Sequence, residues 1–357
     1  MLSRKAVLRE FEEYGLTVPE IVEKYCQWVS EDQYMIMNRI KNNIVVLKRN
    51  EDGKYEIFKT PKEKKPFTGH VEGKYKILNP KYMESFKSEV FAVKCSKRGN
   101  DVYRHRVYRR FKGLASLAEK TVFFNPKDRG GKKKTRALFV TLTYDTKRCS
   151  YAEAWRNLGV EFNRFMAYDR KKFGKVSSFR VCESSKKGYP HIHCILLFEE
   201  KEFKVFRDRR GQFRIKEKGV VAAGWHSHTD VQAMSSLGRG LSYLKKYLLK
   251  CIDAENKDSK ALKTLALSWL FNKRAFSVSG KFRQMLTDLI KTMHNSNHKT
   301  QQTTLKGEIV QEYTYYVLGF VPADVVHLEN NLWFCKLNNE QITSIEKFLE
   351  SNKYAWN

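Results

Sequence analysis

Two apolar β-type runs, separated by one long amphipathic helix, set the architecture open to the middle of this chain. Residues 137–144 read ALFVTLTY and residues 191–198 read HIHCILLF, and charged segments lie outside both runs. Short apolar runs of this kind predict buried strands. Between them, Ser150 and Glu153 form a capping box that begins a helix, and Gly174 ends it.

The helix predicted over 150–174 carries apolar residues at helical spacing. They are Trp155, Leu158, Phe162, Phe165 and Met166. Shorter β-type segments are predicted near 44–47, 178–183, 203–206, 212–215 and 229–232. Because the central order is strand, helix, several strands and then a helix, we predict an α+β fold. Its core is a central antiparallel sheet with flanking helices, between basic N- and C-terminal extensions.

A turn-rich basic linker at 125–134 marks the best domain boundary. We therefore predict a basic N-terminal region that is a candidate for DNA recognition, a central core and a C-terminal accessory region, at 1–130, 131–255 and 256–357. The linker's Gly-Gly-Lys-Lys-Lys-Thr departs from a phosphate loop. Pro126 stands where the first glycine should be, and Lys133 where serine or threonine should follow the lysine. No ATPase or helicase activity is expected.

The chain carries 68 Lys and Arg residues against 39 Asp and Glu residues, a net charge of +29 that is spread along the sequence. So strong a positive field suits a polyanion, and nucleic acid is the first candidate. Two stretches interleave cations with aromatic rings that can stack on bases. Their candidate DNA-binding residues are Arg104, Arg106, Arg109, Arg110, Lys273 and Arg274. The alternative is a solvated basic face on an edge strand or a helix.

Seven cysteines stand singly, without a CxxC pair or zinc-ribbon spacing, and are expected to be reduced thiols of a cytosolic protein. The N-terminal segment carries charges every few residues where a signal peptide needs an apolar run. No later segment approaches the length of a membrane span. We expect a cytoplasmic protein without a membrane partner.

The segment at 190–198 carries the most informative chemistry. Side chains alternate along a strand, so His191 and His193 project from one face. If the loop at 184–190 joins two antiparallel strands symmetrically, Glu183 lies opposite His191 and can share one cation with both histidines. Such a cation keeps open positions at which a phosphate oxygen can be polarised. The alternative is a pair of core histidines without a metal.

A second HxH pair, His226 and His228, lies near Asp230. It follows a flexible Ala-Ala-Gly segment and lacks a long apolar strand. We therefore interpret it as a surface or DNA-contacting segment rather than as the metal site.

The segment at 240–250 predicts a helix with two distinct faces. The apolar face carries Leu241, Leu244, Leu248 and Ile252, and the opposite face carries Tyr243, Lys246, Tyr247 and Lys250. Because the apolar stripe already supplies a core-facing surface, the tyrosines are candidates for chemistry, with packing against a second layer as the alternative. A tyrosine hydroxyl is a weak nucleophile at neutral pH, and a metal ion and a nearby ammonium would favour its attack on a phosphodiester.

Three motifs stand in a characteristic order: the β run at 139–144, the HxH strand at 191–193 and the YxxKY helix at 243–247. In this order the segment resembles the rolling-circle replication initiators of the HUH endonuclease superfamily. Conjugative relaxases usually place their tyrosines before the histidines, so the order favours replication initiators or related transposases. The resemblance covers about a third of the chain, near residues 136–252.

The resemblance implies an HUH endonuclease core of ferredoxin-like or RRM-like topology. It implies that His191, His193 and Glu183 hold Mg²⁺ or Mn²⁺. Tyr247 with Lys250 would match the principal nucleophile and its lysine.

Tyr243, followed by Lys246, occupies the place of the second tyrosine in two-tyrosine initiators. The implied activity is nicking and joining of single-stranded origin DNA through a 5′-phosphotyrosine link in a prokaryotic cell. The host polymerase, which would extend the released 3′ hydroxyl, and a helicase are the implied partners. The alternatives are a transposase with the same chemistry, and a non-catalytic nucleic-acid-binding protein with a degenerate nuclease core.

Overall fold

The chain divides into two compact units, and each unit is assembled from two separate stretches of sequence. The first unit comprises residues 1–30 and 97–293, and the second comprises residues 31–96 and 294–357. The residues described by the computed structural model are 2–41, 46–49, 55–58, 71–72, 75–77, 89–128, 132–252, 259–274, 276–302, 313–326 and 333–351.

The helices, numbered along the chain, are α1 (Arg4–Tyr14), α2 (Val18–Ser30), α3 (Asp101–Ala118), α4 (Tyr151–Phe173), α5 (Lys218–Ala222), α6 (Leu237–Lys250), α7 (Ser259–Leu270), α8 (Lys281–Gln302), α9 (Ala323–Val326) and α10 (Asn339–Ser351). The strands are β1 (Gln33–Lys41), β2 (Val46–Arg49), β3 (Tyr55–Phe58), β4 (Val71–Glu72), β5 (Tyr75–Ile77), β6 (Glu89–Lys94), β7 (Lys134–Thr135), β8 (Ala137–Thr143), β9 (Val176–Ser184), β10 (Pro190–Phe198), β11 (Phe203–Arg207), β12 (Phe213–Ile215), β13 (Thr229–Ala233), β14 (Phe276–Val278), β15 (Tyr313–Pro322) and β16 (Phe334–Lys336).

A five-stranded antiparallel sheet of order β13-β8-β10-β9-β14 is the centre of the first unit. Helix α4 covers one face with Trp155, Leu158 and Phe162, all of which are buried. Helices α3 and α6 cover the other face, where they pack against each other and against Phe179 and Ile195. The predicted α+β fold with an antiparallel sheet between helices is therefore confirmed.

Local signals placed several elements correctly. The Ser150 side chain accepts a hydrogen bond from the Glu153 amide, and the Glu153 carboxylate accepts one from the Ser150 amide, so the predicted capping box begins α4. Of the run predicted at 44–47, residues 44–45 lie outside the described residues, and β2 begins at 46. Residues 129–131 of the predicted linker also lie outside them.

The second unit contains a six-stranded sheet of order β16-β6-β1-β15-β5-β4, in which β15 and β5 run parallel. Tyr34, Ile36 and Ala92 lie in its core, and Ile345 of α10 is buried in the same cluster. The division of the chain at 130 and 255 concerns functional parts, and it stays a prediction. Across the described residues, no helix combines the length and the apolar character that a membrane crossing requires.

A buried carboxyl on α4 gives the first unit a pH-dependent stability. Asp169 is fully buried, and neither of its carboxylate oxygens has a hydrogen-bond partner among the described residues. Burial raises the pKa of this carboxyl from 3.8 to about 7. The folded chain therefore holds the proton more tightly than the unfolded chain, and the contribution of Asp169 to stability falls as pH rises through this window.

We expect Asp169→Asn to raise the free energy of unfolding by about 2 kcal/mol above the raised pKa, because the variant removes a buried charge and keeps the shape of the side chain. The gain should vanish toward the ordinary pKa of aspartate. Urea denaturation over this pH range measures it, with the exposed Glu200→Gln as the matched control. A difference between variant and wild type that stays constant with pH would contradict the assignment.

Candidate active site

The pairing of β9 with β10 brings the three candidate metal ligands together. Glu183 lies directly across from His191 in the antiparallel register, as the symmetric loop predicted. The turn between the strands closes with a hydrogen bond of 2.8 Å from the Ser185 amide to the Tyr189 carbonyl. Gly188 has φ +87° in this turn, a left-handed conformation that favours glycine.

Glu183, His191 and His193 form a compact cluster whose candidate ligand atoms lie within 4.8 Å of one another. His193 Nε2 lies 3.1 Å from Glu183 Oε1, and His191 Nδ1 lies 4.0 Å from the same oxygen. Glu183 and His193 are buried, whereas His191 is partly exposed at the open side. The other oxygen, Glu183 Oε2, is buried without a hydrogen-bond partner among the described residues. Glu183, His191 and His193, called the triad below, can hold a metal ion.

Two threonines of β8, which the sequence reasoning missed as site residues, orient the histidine rings. Thr141 Oγ1 lies 3.3 Å from His193 Nδ1, and Thr143 Oγ1 lies 3.3 Å from His191 Nε2. These contacts occupy one nitrogen of each ring and leave the other nitrogen facing Glu183. Their signal was the Thr-Leu-Thr spacing of β8, because alternate strand residues share a face.

The charge states of the triad suit metal binding. Burial opposes ionisation of Glu183, but hydrogen bonds from His193 and Lys260 outweigh it and lower the pKa of the carboxyl to about 2. Burial, together with the neighbouring His193, lowers the pKa of His191 to about 4. At neutral pH, Glu183 is therefore an anion and His191 is a neutral ligand, which are the forms that coordinate a metal.

Helix α6 places a tyrosine directly on the triad. Its Leu241, Leu244 and Leu248 are fully buried against the sheet, as the apolar stripe predicted. The Tyr247 ring stacks on His193 with 3.6 Å between ring centroids and 20° between ring planes. Ile252, predicted in the same stripe, is buried but lies beyond the last helical residue, because the Cys251 amide turns back to the Leu248 carbonyl.

The two tyrosine hydroxyls are joined to each other. Tyr247 Oη donates a hydrogen bond of 3.0 Å to Tyr243 Oη, and Tyr243 is 42 % exposed. Burial, this hydrogen bond and the Glu183 charge raise the pKa of Tyr247 above its ordinary value. The Tyr247 phenol is therefore protonated at neutral pH.

The ammonium nearest the triad comes from a lysine that sequence reasoning did not predict. Lys260, on α7, places Nζ 2.9 Å from Glu183 Oε1. Lys246 Nζ lies 5.5 Å from the centre of the Tyr243 ring, and Lys250 is the last residue of α6. Lys260 and Glu183 are 77 residues apart, so no local spacing could reveal their contact.

The second HxH pair is not part of this cluster. His226 packs edge-on against Tyr144, with 5.1 Å between ring centroids. Asp230 Oδ1 is bound to Arg214 Nη1 at 2.5 Å. In the stretches of chain that the structure describes, the metal-type cluster is the triad, and this pair lies outside it.

The candidate DNA-binding residues fall on the two opposite faces of the sheet. Arg106, Arg109 and Arg110 are exposed on α3, which packs against α6, and Arg104 on the same helix is partly buried. Lys273 Nζ instead donates to the Arg156 carbonyl of α4 at 3.0 Å. Arg274, beside it, is exposed.

We expect the protein to bind one Mn²⁺ ion at the triad. Glu183→Gln and His193→Ala should each weaken binding by more than about tenfold, because each removes a charged or directly ligating group. Isothermal titration calorimetry of the metal-free protein measures this. His226→Ala, in the second HxH pair, is the control, and equal losses in all three variants would contradict the assignment.

We expect Lys260→Met to tighten Mn²⁺ binding by about tenfold, because the ammonium occupies Glu183 Oε1 and repels an incoming cation. Lys263→Met is the matched control: this lysine lies on the same helix, but it donates to the Lys186 carbonyl instead. The same calorimetric titration applies. Unchanged or weaker binding in Lys260→Met would show that the lysine does not compete with the ion.

Residues 137–252 match a family model described as a replication-associated protein of the ORF2 type. The matched segment spans about a third of the chain and contains the triad and both tyrosines of α6. No curated protein and no solved structure matches the chain. This segment is therefore similar to replication-associated proteins, which supports a Rep-like protein with a role in DNA replication.

Proposed function

We propose that this protein is an HUH-type endonuclease that initiates rolling-circle replication by nicking and joining single-stranded origin DNA. The observation that carries the proposal is the stack of Tyr247 on His193, at 3.6 Å, within a segment similar to replication-associated proteins. A tyrosine that serves only packing requires no buried carboxylate and histidine pair beneath it. Here a nucleophile of the right type lies against a candidate metal site.

Glu183, His191 and His193 would hold Mg²⁺ or Mn²⁺. The donor set fits a divalent ion, because it offers a carboxylate and two imidazoles and because buried Glu183 Oε2 lacks a partner among the described residues. When bound, such an ion supplies Lewis-acid polarisation of the scissile phosphate and stabilises charge on the leaving oxygen. Thr141 and Thr143 hold the imidazole rings in the ligating orientation.

The proposed nucleophile is the Tyr247 hydroxyl. A bond forms between Tyr247 Oη and the phosphorus, and the bond from phosphorus to the 3′ oxygen breaks. The 5′ phosphate stays on the tyrosine, and the phenol proton is balanced by the proton on the released 3′ hydroxyl. Because the pKa of Tyr247 is raised, its proton must leave as the attack proceeds, and Tyr243 Oη, at 3.0 Å, is the first acceptor.

A second tyrosine allows the cycle to close. Tyr243 is exposed and hydrogen-bonded to Tyr247, so it can attack the regenerated origin after one round. The 3′ hydroxyl released there can then attack the first phosphotyrosine and join a circle. Lys246 and Lys250 follow the tyrosines by three residues each and would offset the charge of the phosphates.

The exposed arginines of α3 would guide the strand toward this site. Arg106, Arg109 and Arg110 lie on a helix packed against the tyrosine helix, and guanidinium groups contact phosphates without reading sequence. A host helicase would open the duplex, and a host polymerase would extend the 3′ hydroxyl.

The test uses single-stranded oligonucleotides that tile both strands of the replicon encoding the chain, with Mn²⁺ or with a chelator. Denaturing electrophoresis should show a covalent adduct with oligonucleotides labelled at the 3′ end, because the 5′-phosphate fragment stays on the protein. Oligonucleotides labelled at the 5′ end should give a free shortened product. The adduct should disappear in Tyr247→Phe, in His191→Ala and with the chelator.

The exposed Tyr14→Phe is the control for loss of a hydroxyl far from the site. Tyr243→Phe should still form the first adduct and should lose the circular product. If every strand binds tightly and none forms an adduct, the chain is a non-catalytic nucleic-acid-binding protein, and the proposal fails.

A further inference from the structure

The α4 side of the sheet carries a second cationic feature, a cleft with a volume of about 260 Å³. Arg180, Lys273 and Arg274 line it, and Ser277 adds a hydroxyl. The described residues that line this cleft include no acidic side chain. Three cations around one small volume repel each other, and an anion between them would remove that repulsion.

Arg180 is held with part of its guanidinium unsatisfied. It projects from β9 toward α4, and its Cζ lies 4.2 Å from the centre of the Phe162 ring. Its Nη1 is buried and has no hydrogen-bond partner among the described residues. Glu183, three residues further along β9 and roughly 10 Å away, projects from the opposite face, so the cleft is separate from the triad.

Lys273 adds a second partly desolvated cation. Its Nζ donates to the Arg156 carbonyl at 3.0 Å, which uses one of its three donors. Burial and the charge of Arg180 lower the pKa of Lys273. Both effects are costs to the protein that a bound anion would reverse.

Gly159 lines the same cleft and keeps it open. It lies in the interior of α4, where glycine costs about 1 kcal/mol relative to alanine. A Cβ built at Gly159 meets no atom within 4 Å, so neighbouring protein atoms do not require the glycine. The open space above the helix is where a ligand atom could lie.

We propose that this cleft binds a phosphate group, with Arg180 and Lys273 as its main donors and Gly159 leaving room for it. The volume suits one tetrahedral anion, and guanidinium and ammonium are the side chains that bind phosphate best. If the protein processes DNA as proposed above, the phosphate belongs to the bound strand. A free phosphate or a phosphomonoester would use the same donors.

The test compares Arg180→Met and Gly159→Ala with the wild-type full chain. Arg164→Met is the matched control, because this exposed arginine of α4 does not line the cleft. One arm measures binding of a fluorescent single-stranded oligonucleotide against salt concentration, in the presence of a chelator so that nicking plays no part. The other arm measures the thermal unfolding midpoint in inorganic phosphate against chloride at equal ionic strength.

We expect phosphate to raise the unfolding midpoint of the wild type and of Arg164→Met, and to have no such effect on Arg180→Met or Gly159→Ala. If the strand supplies the phosphate, both cleft variants also weaken oligonucleotide binding by about tenfold. In that case Arg180→Met lowers the salt slope by about 0.7 more than Arg164→Met does.

Loss of the response to inorganic phosphate with unchanged oligonucleotide binding supports the site and assigns it to a free phosphate. If both cleft variants behave as Arg164→Met does in both arms, the proposal is overturned. Gly159→Ala should itself fold at least as stably as the wild type, because alanine favours the helix, so misfolding of Arg180→Met alone would not obscure the result. Neither arm depends on adduct formation, so failure here and failure of the nicking proposal are separate outcomes.

Discussion

The register between β9 and β10 is the constraint on which the candidate site depends. Side chains alternate along a strand, so a slip of one residue would move Glu183 to the face opposite the histidines. The closed turn with Gly188 in a left-handed conformation sets this register, and the β8 threonines then orient the imidazole rings. The compact triad follows from strand pairing, without an irregular loop to carry its ligands.

Helix α6 converts a metal-type cluster into a candidate active site because its two faces have different tasks. Buried leucines hold the helix against the sheet, and Tyr247 consequently lies on His193. The cost is visible in the Tyr247 phenol, whose pKa is raised by burial and by its neighbours. A site arranged in this way needs a cation to become reactive, which agrees with the anionic Glu183 beneath it.

The two faces of the central sheet handle charge differently. On the α6 face, Lys260 neutralises Glu183 in the absence of a metal. On the α4 face, Arg180 and Lys273 lie close enough to perturb each other, and no acidic side chain lines their cleft among the described residues. A strongly basic chain that binds a polyanion can keep such uncompensated cations, because the ligand supplies the opposite charge. The proposed phosphate cleft extends this logic beyond the triad.

The sequence by itself determined the parts of the structure that follow from local periodicity. These include the capped helix α4, the strand with alternating histidines, the register partner Glu183 and the two-faced tyrosine helix, because each depends on residues near one another in the chain. Tertiary structure alone decided which distant residues meet. Lys260 reaches Glu183 across 77 residues, and Arg180 meets Lys273 only after β9, α4 and the end of α7 have packed. No periodic pattern encodes those contacts, since packing brings their side chains together only in the folded chain.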